Sequence, residues 1–324
     1  MYQYIARRVL MVVPMLWGIT LLNFLIMNMA PGDPLSSLMT PDVSISVAEK
    51  AKIAHRMGLD QPLPVRYVVW LTNAVQGNFG YKTSYSDWRP VLPILLEAIP
   101  KTVELMFLAL LVANVMGIGL GILCAVWRYS RTDYILTVFA FFGVSAPGFF
   151  VAIGLMYLVA FRWGVLPISG YPPTGDDSFG GHVRYLILPA TALAVQYVAG
   201  MLRYTRTAVL EVLGHDYVVS ASAKGLKWFR VVVVHVLRNA MLPLLTIIGL
   251  QIPGLFGGSI VIETIFGWPG IGRIAMEAIH ARDYNLLMAT SMFGSTIVLI
   301  ASLITDILYT VVDPRVATSL QSKN

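Results

Sequence analysis

Residues 203–243 read RYTRTAVLEVLGHDYVVSASAKGLKWFRVVVVHVLRNAMLP. The stretch is too polar to lie in lipid, yet it carries helical patterning. It has a glycine stop at Gly225 and a second amphipathic run from Trp228 to Leu237. It reads as a short helix, a turn and a re-entry into an apolar phase. Backbone groups left unpaired in hydrocarbon cost several kcal/mol each, so such a loop belongs on an aqueous face. Apolar sequence lies on both sides of it, and that places the loop within a membrane protein.

Composition agrees. Of 324 residues, 57% are hydrophobic and 12% charged, against about a quarter charged in a soluble domain. The net charge of +6 matches a chain with basic loops on one side of a membrane and gives no reason to invoke nucleic acid. A single cysteine, Cys124, excludes an intrachain disulfide and a cysteine-rich metal site. The first apolar run has no small-residue cleavage pattern and reads as a span, not a removed signal.

A helical span needs about 20 mostly apolar residues. Six stretches meet this: Val9–Met29, Val103–Trp127, Tyr134–Phe161, Leu186–Leu202, Leu242–Ile262 and Leu286–Val311. The short flanks carry Arg7, Arg8, Arg128, Arg131, Arg203, Arg206, Lys224, Lys227, Arg230, Arg238 and Arg315. With six spans these all fall on one side. That side is cytoplasmic by the positive-inside rule, and both termini are then inside.

Three pieces fall on the other side. The first, 30–102, opens with the Pro31-Gly32-Asp33-Pro34 turn cluster. A capping box at Ser46-Val47-Ala48-Glu49 predicts a helix ending near Gly58. A second amphipathic helix is expected over Val65–Val75, and Tyr67, Trp70, Phe79, Tyr81 and Trp88 make this insert a small folded cap. The piece Arg162–Tyr185 reads as a loop. The piece Glu263–Asn285 contains Phe266-Gly267-Trp268-Pro269-Gly270-Ile271-Gly272.

No G-x-x-x-x-G-K-[ST] phosphate loop and no H-E-x-x-H occur. Ionisable residues are nearly missing from the spans, apart from Asp306 in the sixth and Glu104 at the end of the second. Secondary transporters and pumps keep such groups near the midplane. Any energy source for transport is therefore expected outside this chain. Asn114, Gln196 and Gln251 either line a pathway or bond helix to helix. Gly117-x-x-x-Gly121 and Gly254-x-x-x-Gly258 read first as packing within the subunit, with a partner-facing surface as the other reading. Asp306 reads first as the partner of a basic residue near the cytoplasmic face. Pro147 is either a hinge or a static kink in the third span. Trp17, Trp127 and Trp163 read as interfacial anchors.

The loop also carries a resemblance. Asp216 to Leu226, followed by His235-x-x-Arg238-Asn239-Ala240-x-x-Pro243, is similar to the EAA loop of permeases from ABC importers, most closely those of the dipeptide/oligopeptide/nickel group. Gly58-Leu59-Asp60-x-Pro62, Gly77-x-Phe79-Gly80, Glu263 to Gly272, Arg282-Asp283-Tyr284, Asp306 to Tyr309 and Asp313-Pro314-Arg315 also resemble that group, in order and over nearly the full length. At the motif's Glu-Ala-Ala this chain has Val219-Ser220-Ala221, so the acid is missing.

The resemblance implies an all-α type I importer transmembrane domain with six helices in a bacterial or archaeal plasma membrane. Residues 1–97 form a helix plus an extracytoplasmic cap, 98–315 the core with its coupling loop, and 316–324 a cytoplasmic tail. It implies a permease for di- or oligopeptides, with nickel chelates or another small solute as the alternative. The partners are a second permease in a heterodimer, two cytoplasmic ATPases that use ATP and Mg, and an extracytoplasmic substrate-binding protein. The chain itself has no catalytic residue, metal or cofactor. Coupling falls to Asp216, Tyr217, Ser220, Ala221, Ala223, Lys224, Gly225 and Leu226, with Pro147 and Pro243 as hinge or turn positions.

Overall fold

Eleven helical segments follow one another along the chain in a computed structural model that describes residues 2–29, 55, 60–82, 89–173 and 178–312. They are α1 (Tyr2–Met29), α2 (Leu63–Val75), α3 (Val91–Val126), α4 (Arg131–Ser145), α5 (Gly148–Leu155), α6 (Phe179–Leu213), α7 (Asp216–Ala223), α8 (Trp228–Arg230), α9 (Arg238–Phe266), α10 (Ile271–Ala281) and α11 (Tyr284–Val312). Two π-helical runs, Met156–Arg162 and Val231–Leu237, continue α5 and join α8 to α9. The Pro31–Pro34 cluster, the Ser46–Glu49 box with its Gly58 stop, Trp88 and the Asp313–Arg315 end lie outside the described residues.

Among the described residues, α1, α3, α6, α9 and α11 each hold an apolar stretch long enough to cross a membrane. The third expected span, Tyr134–Phe161, is not one helix. It is α4 plus α5 with its π-helical extension, bent by 111° at a short break. The reason is local. Proline lacks the N–H that would continue the ladder and drives the preceding residue to extended backbone. Accordingly Ala146 has ψ 130° and Pro147 ψ 136°. Two smaller expectations also change. The piece 162–185 is helical from Phe179 onward, and α9 runs through Pro243 instead of starting there, although its apolar section begins at that proline.

The described residues divide into two compact units, one drawn from 1–8, 103–268 and 300–324, the other from 9–102 and 269–299. In the first unit α6 is the centre. Its apolar window is 56% buried, against 28% or less for the others. Leu186, Leu188, Leu193 and Ala194 of α6 pack with Leu105, Ala109 and Ala113 of α3 and with Leu255, Ile262 and Phe266 of α9. Small residues permit this approach. A Cβ on Gly117 would come within 2.6 Å of the Met201 Cβ, and one on Gly121 within 2.5 Å of the Thr205 Cβ. On α9, a Cβ on Gly254 would lie 2.7 Å from the Tyr197 hydroxyl, and one on Gly258 3.0 Å from Leu193. Both glycine pairs thus face α6 of the same chain.

Helix α9 ends on Gly267 at φ +64°, a left-handed position suited to glycine. The Trp268 amide then donates to the Glu263 carbonyl at 2.9 Å. The reversal buries the Trp268 ring against Tyr171 and His182, and His182 meets Glu104 at 2.6 Å.

In the second unit Tyr67 of α2 packs with Phe24 and Met27 of α1 and with Met288 of α11. Its hydroxyl lies 3.0 Å from Thr20 Oγ1. Gly77 and Gly80 both have positive φ and turn the chain into a single antiparallel bridge between Tyr81 and Pro90. The start of α10 is capped by the Thr102 hydroxyl, which accepts from the Ile271 amide at 2.8 Å.

Candidate functional site

The basic loop is built from the end of α6 outward. Helix α6 continues past its apolar part and stops at Gly214, whose amide donates to the Glu211 carbonyl. His215 then caps α7 with extended backbone, and its Nδ1 lies 2.9 Å from the Glu211 carbonyl oxygen. Asp216 occupies the first turn of α7, where a carboxylate favours the helix dipole.

Helix α7 has two faces. Val218 and Ala221, three residues apart, are buried with Val209 and Val212 of α6, Ala125 of α3, and Val231, Val236 and Ala240. Leu226 packs against the same cluster. The opposite face carries Asp216, Tyr217, Ser220, Ala223 and Lys224, all exposed, together with Val219 at 60% exposure. The candidate coupling residues therefore split. Ala221 and Leu226 hold the helix to the bundle, while Asp216, Tyr217, Ser220, Ala223 and Lys224 are presented outward.

Gly225 lies at φ +78°, and a Cβ there would meet nothing within 4 Å. Its requirement is conformational and not steric: an L residue is disfavoured in that region by about 1–2 kcal/mol. The turn returns the chain through α8 and the π-helical Val231–Leu237 into α9. Asn239 ties the two arms, donating from Nδ2 to the Tyr217 hydroxyl at 3.1 Å and to the His235 carbonyl at 2.8 Å. Asn239 belongs to the quoted motif, but only the fold shows that it reaches back across the turn.

A second connection starts from α6 upstream of the loop. Arg206 Nε and Nη2 donate to the two carboxylate oxygens of Asp133 at 2.8 and 2.9 Å. Asp133 is buried and also accepts from the Tyr129 amide at 3.0 Å. Ser130 Oγ accepts from the Asp133 amide. Charges counted for topology do not reveal this pair. The available signal was Ser130-x-x-Asp133, the spacing of a helix-start box.

Asn114, Gln196 and Gln251 are bonded between helical segments. Asn114 Nδ2 of α3 donates to Gln251 Oε1 of α9 at 3.1 Å. Gln196 Nε2 of α6 donates to the Ala146 carbonyl at the α4–α5 break, at 2.8 Å. Asp306 of α11 meets Arg8 of α1 at 2.9 Å. Cys124 is fully buried beside Ala140, Ala199 and Leu202. Trp17, Trp127 and Trp163 are exposed. Among the described residues no three His, Cys, Asp or Glu side chains are placed to hold a metal ion.

The family model described as the binding-protein-dependent transport system inner membrane component matches residues 117–318, and its N-terminal companion matches residues 1–106. The chain is 40% identical to the oligopeptide transport system permease protein AppB of Bacillus subtilis, over 98% of this chain and 99% of that protein. It is 37% identical to the dipeptide transport system permease protein DppB of Escherichia coli, again over 98% and 99%. A solved chain of the MetNI methionine ABC transporter in an inward-facing conformation matches with a TM-score of 0.54 at 17% identity, covering 68% of this chain and 96% of that one. The last likeness concerns the fold alone. The chain belongs to the binding-protein-dependent transport system inner membrane component family, a family of multi-pass membrane permeases.

Proposed function

We propose that this family member is the membrane-spanning subunit of an ATP-driven importer of di- and oligopeptides, and that α7 is the element through which separate ATPase subunits move it. The observation that carries the substrate class is similarity to peptide permeases over essentially the whole chain. The outward face of α7 supports the coupling role. It is short and anchored by Val218 and Ala221, so a push on it reaches α6 and α9 as rigid-body movement.

In this reading the basic loops and both termini are cytoplasmic. Residues 1–97 supply a helix and an outer cap, 98–315 the core, and 316–324 a tail. A second permease completes the pathway, two ATPases seat on the paired α7 helices, and an extracytoplasmic binding protein delivers peptide. ATP and Mg act on the partner subunits. Pro147 serves as the hinge between α4 and α5, and Pro243 marks where α9 becomes apolar. Asn114, Gln196 and Gln251 serve the pathway by fixing the helices around it.

The test is uptake of a panel of labelled peptides by the complete complex in vesicles. ATP-dependent uptake of di- or oligopeptides is expected. Uptake by this chain alone, driven by an ion gradient, would overturn the reading.

A further inference from the structure

Helices α4 and α6 enclose a trough of about 150 Å³ on the surface of the first unit. Its walls are apolar, with Ala140 and Val144 on α4 and Leu202 on α6. One end is polar, with Thr137 of α4 beside Arg203, Arg206 and Thr207 of α6. These last residues stand where the apolar part of α6 gives way to the basic loop.

The charges at that end are unequal. Arg206 is held bidentate by Asp133, and Asp133 is 4% exposed, so that carboxylate is both neutralised and hidden from the trough. Arg203 is exposed, lies over the Tyr204 ring at 5.6 Å from the centroid, and has no carboxylate partner among the described residues. Thr207, one turn on, is also exposed, and its hydroxyl donates to the Arg203 backbone carbonyl at 3.0 Å. The result is an apolar slot between α4 and the spanning helix α6, ending in one guanidinium with no carboxylate partner among the described residues. A molecule with an apolar tail and an anionic head fits both parts. A protein partner seated there would have to supply a carboxylate to Arg203 and an apolar ridge to the slot at once.

We infer that this trough binds an anionic phospholipid, with part of an acyl chain between α4 and α6 and the phosphate on Arg203. The site adjoins the Asp133–Arg206 pair and the base of the α7 loop, so the lipid would brace the part of α6 that leads into the loop. The inference rests on the membrane-spanning fold. The orientation proposed above only decides that the leaflet is the inner one.

The experiment is native mass spectrometry of the purified transport complex released from nanodiscs of mixed phosphatidylcholine and phosphatidylglycerol. Retained phosphatidylglycerol is expected on the native complex. Arg203→Gln should lower its retention about fivefold, as one basic contact at a membrane surface is worth. Ala140→Phe, which fills the slot while keeping Arg203, should lower it as well, whereas Arg128→Gln should not. A photo-crosslinking residue at Phe141 should yield a lipid adduct. Equal retention by Arg203→Gln and the native complex would overturn the inference. So would crosslinks only to a second protein subunit, or displacement of the lipid by glycerol phosphate, which would indicate a headgroup-only anion site. Lipid retention is read without any transported solute, so failure of the peptide assignment leaves this result unchanged.

Discussion

Gln196 of α6 donates its side-chain amide to the carbonyl of Ala146, 50 residues away in sequence, at 2.8 Å. Pro147 has no N–H, and Phe150, whose amide would reach Ala146 in a continuous helix, donates to the Pro147 carbonyl instead, as does Val151. The Ala146 carbonyl would otherwise have no helical partner inside an apolar span. The approach does not depend on glycine at 148, since a Cβ there would sit 3.6 Å from Gln196, in ordinary van der Waals contact. Replacing Gln196 by Leu leaves that carbonyl without its partner and should destabilise the chain by about 1–3 kcal/mol. Thermal unfolding in detergent measures the loss. In a Pro147→Ala background, where α4 is free to continue, the same substitution should cost less. Equal costs in both backgrounds would show that the glutamine does not serve the break.

The Asp133–Arg206 pair makes a similar prediction with a different sign pattern. Arg206→Met strips a buried carboxylate of its bidentate donor, and breaking such a pair from one side costs about 3–5 kcal/mol. Converting both residues, as Asp133→Asn with Arg206→Met, should cost markedly less, because no charge is left buried. A thermal-shift series on the two single variants and the double variant reads this. A double variant as unstable as the sum of the singles would mean that the residues do not act as a pair.

These two links mark the boundary of what the sequence shows. Six apolar stretches, the basic loop, its glycine and the two-part Asp216–Leu237 reading are all local patterns, and the helices follow them. Pro147 was visible as a possible hinge or kink, but the 111° break was not, because apolar content on both sides of a proline looks the same whether the chain bends or runs on. Gln196 gave no hint of its partner, and neither did Asp133, which lies 73 residues from Arg206. Such pairings depend on which helices become neighbours, and no periodicity encodes that. The glycine pairs are intermediate. Their spacing showed close helix packing, and only the fold shows that both face α6.

Gly225 should separate folding from coupling. Its surroundings are open, so Gly225→Val brings no clash and should cost about 1–2 kcal/mol from left-handed backbone alone. Gly225→Asn should cost less, since asparagine visits that region more readily. Membrane insertion and α-helical content should survive in both. ATP-driven peptide uptake should fall strongly for the valine variant and less for asparagine. Full uptake by Gly225→Val would mean that the turn after α7 does not transmit the stroke.

The two faces of α7 give the sharpest contrast, because one of two adjacent valines is buried and the other exposed. Val218 is 2% exposed and Val219 60%. Val218→Ala removes buried methyl groups and should lower stability by about 1–2 kcal/mol, since each buried methylene is worth ~0.8 kcal/mol before any cavity term. Val219→Lys leaves the bundle untouched and adds a cation where the proposed ATPase contact lies. It should leave the unfolding temperature unchanged and weaken recovery of ATPase subunits with the permease. If instead Val219→Lys destabilised the isolated chain and left subunit recovery intact, the outward face would belong to the bundle, and the coupling surface would have to be sought on Trp228 and Phe229, which are also exposed.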